Sequence, residues 1–232
     1  MRKLITVAVA GSLIGLTACT APDKSKETTT SKTEAPTPTK TKKVEPETPK
    51  SNSGEFTNAA FAYPIVADGE VVKTIETEKF TITVFRTATG VTDADERYKD
   101  PDTGVLLLPA GTPRMAVNFV LTNNTTETLD IGTISLQISG THPDWPFSSI
   151  PYLEESTDWF EGLGLHRSEI DFGADAEMGI IAPKESFAQS SVWPLWDGPY
   201  NIEMKLVGKD SEGNLDHDNP LFDLTEQITF KP

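Results

Sequence analysis

Cysteine is nearly missing from this sequence. It occurs once, at position 19, so no intramolecular disulfide can form and a disulfide scaffold is excluded. Histidine is almost as scarce: His142, His166 and His217 stand far apart, with no HExxH or HxH pattern among them, which leaves no zinc-ligand spacing to read. No GxSxG elbow, phosphate loop or CxxC pair occurs, so the signatures of nucleophilic hydrolysis, phosphoryl transfer and thiol redox chemistry are lacking. Positive charge is thin beyond residue 54. Residues 55–232 hold 11 of the 20 Lys+Arg but 30 of the 35 Asp+Glu, a balance of −19. No basic stripe exists there to neutralise phosphates, and nucleic acid is not expected as a partner. The chain is expected to be no enzyme and to need no cofactor or metal, although catalytic groups converging from distant strands would leave no local pattern.

Long apolar runs are missing as well. The one candidate, Leu4 to Ala18, spans 15 residues behind the charged start Met1-Arg2-Lys3, short of the roughly 20 residues of a spanning helix. A charged start, a short apolar stretch and small residues at its end describe a secretory signal peptide over residues 1–18. The run ends Leu16-Thr17-Ala18-Cys19, which resembles the lipobox of bacterial lipoproteins. That resemblance implies a diacylglyceryl, palmitate-type lipid on the Cys19 thiol and cleavage just before it. A lone free thiol would be a liability in an oxidising compartment, whereas a lipidated one is not. Two acyl chains suffice for stable anchoring. The expected location is the outer face of the cell membrane, of Gram-positive type, with the membrane itself as the partner of Cys19.

Residues 19–54 follow with Thr, Lys, Glu, Pro and Ser in nearly every place and Val44 as the one strongly apolar side chain after Cys19. Such a stretch buries too little to offset the entropy of ordering and is expected to be a disordered tether. Prolines such as those at 36, 38, 46 and 49 favour extended segments, reaching on the order of 100 Å when stretched and nearer 30 Å as a coil. The tether is basic and the remainder acidic, which suits a spacer beside anionic lipid and a head held outward.

Residues 55–232 are long enough for one domain with a real core. Their periodicity is mostly two, as in half-buried strands. Phe80, Ile82 and Val84 alternate with polar residues; so do Met115, Val117, Phe119 and Leu121, then Ile134, Leu136 and Ile138, then Tyr200, Ile202, Met204 and Leu206. Leu224, Ile228 and Phe230 close the chain, with Glu226 as an exception, and a further strand covers Ser186 to Trp193. Thr122 to Thr128 is a polar turn cluster suited to a hairpin. Short helices fit best at Leu153 to Gly162. The expected fold class is all-β, an antiparallel β-sandwich with a long loop insertion.

The order of strand 79–85, acidic loop, Met115 to Asn123, polar turn and Leu129 to Ser139, with Ala182-Pro183-Lys184 opening a later strand, resembles an immunoglobulin-like domain of unknown function. That domain is common in Gram-positive lipoproteins and is similar in fold to a secreted mycobacterial immunoprotective antigen. The resemblance covers roughly residues 70–232 and implies an immunoglobulin-like sandwich without inherited catalytic residues. The departure from it is an aromatic insertion between 140 and 175.

That insertion supplies the candidate binding residues Trp145, Phe147, Tyr152, Trp159 and Phe160, beside His166. Aromatic faces on loops of a rigid sandwich stack on sugars or anchor protein partners. The alternative is that they cap one open end of the sandwich, because a long loop in a compact domain needs its own packing; packing is favoured here. The acidic stretches Asp93–Gly104 and Asp210–Asn219 resemble calcium loops in flavour but not in spacing, and read as solvated hairpin loops. Glu154 and Glu155 are adjacent and point apart, so they form no catalytic pair. Taken together, the residues describe a lipid-anchored binding or interaction module of the cell envelope, with an envelope protein or glycan as partner. The alternatives are a wall hydrolase using carboxylates such as Asp144, Glu154 and Asp158, or an antigen-like surface protein without a ligand.

Overall fold

A computed structural model describes residues 55–133 and 135–231. The signal peptide, Cys19, the tether and Ile134 lie outside the described residues. The strands in chain order are β1 (Thr57–Asn58), β2 (Glu70–Glu76), β3 (Phe80–Val91), β4 (Pro113–Asn123), β5 (Leu129–Asp130), β6 (Leu136–Thr141), β7 (Ile180–Ile181), β8 (Glu185–Pro194), β9 (Pro199–Leu206) and β10 (Phe222–Thr229). One five-residue helix, α1 (Thr157–Glu161), follows a 3₁₀ turn at Glu154–Ser156, inside the stretch where the sequence favours helix. Among the described residues no helix is long and apolar enough to cross a membrane.

The fold is an all-β sandwich. A five-stranded sheet in the order β1-β8-β4-β3-β2 faces a three-stranded sheet in the order β10-β9-β6. Period-two alternation sends Ile82, Val84, Phe119, Leu121 and Phe187 from the first sheet, and Tyr200, Ile202, Met204 and Leu206 from the second, into one core. Ring edges interlock across it, Phe80 against Phe222 at 6.0 Å and Phe80 against Phe187 at 6.4 Å. The outer face of the small sheet stays wet, and its exposed positions pair across strands, as Lys205 does with Asp223 at 3.4 Å.

β4 departs from the half-buried expectation, because both of its faces are buried. The segment before β2 lies over the outer face of the large sheet, where Phe56, Ile65 and Ala67 pack on Phe85, Val120 and Ala188. Asn118 sits on that covered face; its amide donates to Val66 O at 2.7 Å and its carbonyl accepts from Ser190 Oγ at 2.7 Å. A buried polar side chain is tolerated when each of its groups is matched in this way.

The turn after β4 is not a hairpin. β4 pairs with β3 and β8, whereas β6 pairs with β9 in the opposite sheet, so the chain changes layers between these two strands. Asn123 holds the start of the crossing: Oδ1 accepts from Thr125 N and Oγ1, while Nδ2 donates to Glu127 O and Ile181 O. Polar turn composition signals a chain reversal or a crossing equally well. The Ala182-Pro183-Lys184 turn does open β8, with Lys184 in the left-handed region at φ 68°.

Candidate functional site

The edges of the sandwich explain where a site can form. On one side the two sheets are tied together: Lys73 of β2 reaches Glu226 of β10 at 2.5 Å and donates to Gln227 O at 3.1 Å. Glu226, the exception in its strand's alternation, is thus an inward-side carboxylate matched by a lysine from the facing sheet. On the other side β6 and β8 are the flanking strands. β1 covers β8 at Glu185 and Ser186 alone, and the insertion takes over from there. Ile150 N donates to Gly140 O of β6 at 2.7 Å, Leu153 N to Val192 O of β8 at 3.2 Å, and Ser190 N of β8 to His166 O at 2.9 Å. Gly140 permits the docking, since a Cβ there would stand 3.2 Å from Ile150 Cδ1.

This lacing divides the five aromatic candidates. Trp145 and Phe160 belong to the core, 5% and 1% exposed. Trp145 stacks on Trp196 at 5.6 Å, meets Tyr98 edge-on and donates Nε1–H to Ser149 O at 2.7 Å. Trp159 is half-buried under a guanidinium: Arg114 lies 4.3 Å from its ring, donates to Ser156 Oγ at 2.7 Å and pairs with Asp93 at 3.3 Å. Phe147 is exposed, and Tyr152 is half-buried. Tyr152 packs edge-on against Phe160 and carries Arg167 3.7 Å above its ring. Burial pushes the Tyr152 phenol above the ordinary tyrosine range, opposed by Thr157 and by the Arg167 charge.

Between the β6 and β8 edges, beneath the insertion, opens a cleft of about 170 Å³. Phe119, Ile138, Ile150 and Trp193 give it an apolar floor, with Trp193 against Phe119 at 5.8 Å. Gln189 and Ser191 of β8 form one wall. They stand in register with Phe119 and Val117 on the inner face of the sheet, where the rest of the sandwich carries hydrophobic side chains. The buried Gln189 Oε1 accepts no hydrogen bond. Tyr152 and Arg167 form the lip, and Ser139 and Ser149 complete the rim. Of the four arginines among the described residues, Arg86, Arg97 and Arg114 each pair with a carboxylate, while Arg167 is exposed at the cleft.

No carboxylate lines the cleft. Asp144 lies beside His142 at 3.8 Å, Glu154 pairs with Arg97 at 3.1 Å and Asp158 sits in α1. The acidic loops turn their carboxylates on their own backbones. Asp100 Oδ1 accepts from Thr103 N, Thr103 Oγ1 and Asp102 N, and Asp210 Oδ1 from Asn214 N and Glu212 N. Those bonds hold both carboxyls below the usual aspartate range. Among the described residues no group of three His, Cys, Asp or Glu side chains could hold a metal ion. His142 is buried against Tyr200 and Trp196, and His166 stacks on Tyr63 at 3.7 Å.

No family model matches the chain, and no curated protein or solved structure matches it. The geometry therefore stands by itself: an all-β sandwich with a polar cleft along one open side. Sequence reasoning missed Gln189, Ser191 and Arg167. The signal was present, since Gln189-Ser190-Ser191 breaks the apolar alternation of β8 and Arg167 is a rare cation in an acidic domain.

Proposed function

We propose that this chain is a lipid-anchored extracytoplasmic binding module that takes its ligand in the cleft between β6 and β8. One observation carries the reading: β8 turns Gln189 and Ser191 inward where the small sheet stops. Burying a polar group without a partner costs about 1–3 kcal/mol, so a strand built for stability alone would place apolar residues there. The address follows from the lipobox Leu16-Thr17-Ala18-Cys19 and the basic tether, and the resemblance to immunoglobulin-like domains of Gram-positive lipoproteins agrees with it.

Two measurements test the proposal. In a bacterium fed an alkyne fatty acid, the chain takes up label at Cys19, and Cys19→Ala abolishes the label and the membrane association. Label that persists in Cys19→Ala refutes the anchor. For binding, the full chain captures its partner from envelope extracts, and Ser191→Phe, which fills the cleft, loses that capture while keeping the wild-type circular dichroism spectrum. Equal capture by both refutes the cleft.

A further inference from the structure

Resting on that reading, we infer that the cleft recognises the free C-terminal residue of a peptide, its carboxylate held by Arg167 and its amide N–H received by Gln189. The guanidinium is planar and offers paired donors that match a carboxylate two-to-two. It lies over the Tyr152 ring at 3.7 Å and pairs with no carboxylate among the described residues, so its donors are open to a ligand. A single cation in the cleft lining, in a domain with a balance of −19, suits a monoanion. A phosphate dianion would add a second negative charge that nothing in the lining neutralises.

The second element is Gln189, half-buried and lining the cleft, whose oxygen is turned inward and accepts no hydrogen bond; a turn of the amide about the last side-chain bond brings that oxygen to the ligand. Such an acceptor discriminates strongly for a ligand that brings an N–H, because a ligand without one leaves it unmatched. A C-terminal residue carries a carboxylate and an amide N–H on one α-carbon. The lining also excludes a free amino acid: an ammonium group would need a carboxylate, and the cleft has none. The apolar floor of Phe119, Ile138 and Trp193 accepts a small side chain, and about 170 Å³ leaves room for little more.

The test is titration of the purified full chain with N-acetyl-alanyl-alanine, followed by calorimetry or by NMR. Saturable binding is expected, weakened at least about tenfold by amidating the C-terminus and about tenfold by Arg167→Gln. N-methylating the last amide and Gln189→Leu should each weaken binding, and the two together no more than either alone, as for one shared contact. A decapeptide ending in the same residues separates the sources. Equal affinity assigns the site to chain ends of proteins, and a preference for the dipeptide assigns it to short free peptides. Equal binding of acid and amide, tighter binding of inorganic phosphate, or no saturation by the acid overturns the inference. Should peptide acids fail while Ser191→Phe still abolishes envelope capture, the ligand class falls and the binding-module reading stands.

Discussion

The hydroxyl of Tyr200 donates to Pro194 O at 2.9 Å and accepts from Trp196 N at 2.8 Å. One side chain thereby fastens the β8–β9 connection to the start of β9, an arrangement of the tyrosine-corner type found in Greek-key sandwiches. Burial pushes its phenol up to about 12, so it keeps its proton throughout the physiological range. Tyr200→Phe strands both backbone groups and is expected to destabilise by about 1–3 kcal/mol, read from urea unfolding. Glu96 illustrates the opposite balance. It is buried, accepts from Glu155 N at 3.2 Å, and has its pKa raised by desolvation and then by the Glu155 and Glu154 charges. A carboxyl raised in the folded state binds its proton more tightly there than in the unfolded chain. Its contribution is full below the ordinary value of 4.5 and is lost as pH rises through the folded pKa. Glu96→Gln is therefore expected to gain stability over wild type at pH 7 and to lose that advantage at pH 4. An equal difference at both pH values, by thermal melts, would refute it.

At the scale of elements, the insertion is as much core as loop. Trp145, Leu153, Phe160, Leu165 and Ile170 are all buried, so deleting residues 141–171 would open the sandwich along with removing the site. Trp145→Ala is expected to cost about 3–5 kcal/mol, whereas Phe147→Ala, at an exposed position, should stay within about 1 kcal/mol; chevron or equilibrium denaturation measures both. The turn into β8 holds Lys184 at φ 68°, a conformation glycine adopts without penalty. Lys184→Gly is expected to raise stability by roughly 0.5–1 kcal/mol. A lowered melting temperature would show that the lysine side chain contributes there. β2 went unrecognised in the sequence for a physical reason. In EVVKTIE, Ile75 is the sole buried residue, as befits an edge strand whose alternation is weak.

At the scale of the molecule, charge is the dominant feature. A balance of −19 over residues 55–232 makes the folded domain repel itself, and the six Lys or Arg pairs with carboxylates among the described residues, most of them at or near the surface, offset little of it. Screening shortens the repulsion from about 30 Å at 0.01 M salt to about 8 Å at 0.15 M. The melting temperature of the full chain is expected to rise over that interval; a fall would mean that the ion pairs outweigh the repulsion.

The sequence by itself determined the all-β class and most of the strand positions, because alternation is a property of neighbours along one strand and is written locally. Phe80 to Val84, Met115 to Leu121 and Tyr200 to Leu206 are legible for that reason. The tertiary structure decided which strands became edges. That choice depends on pairing between β4 and β8, or β6 and β9, across tens of residues, and no local pattern encodes it. It turned the polar run of β8 into a cleft wall, matched Glu226 with Lys73, and sent Trp145 and Phe160 inward. The same pairing left Tyr152 and Arg167 at the mouth.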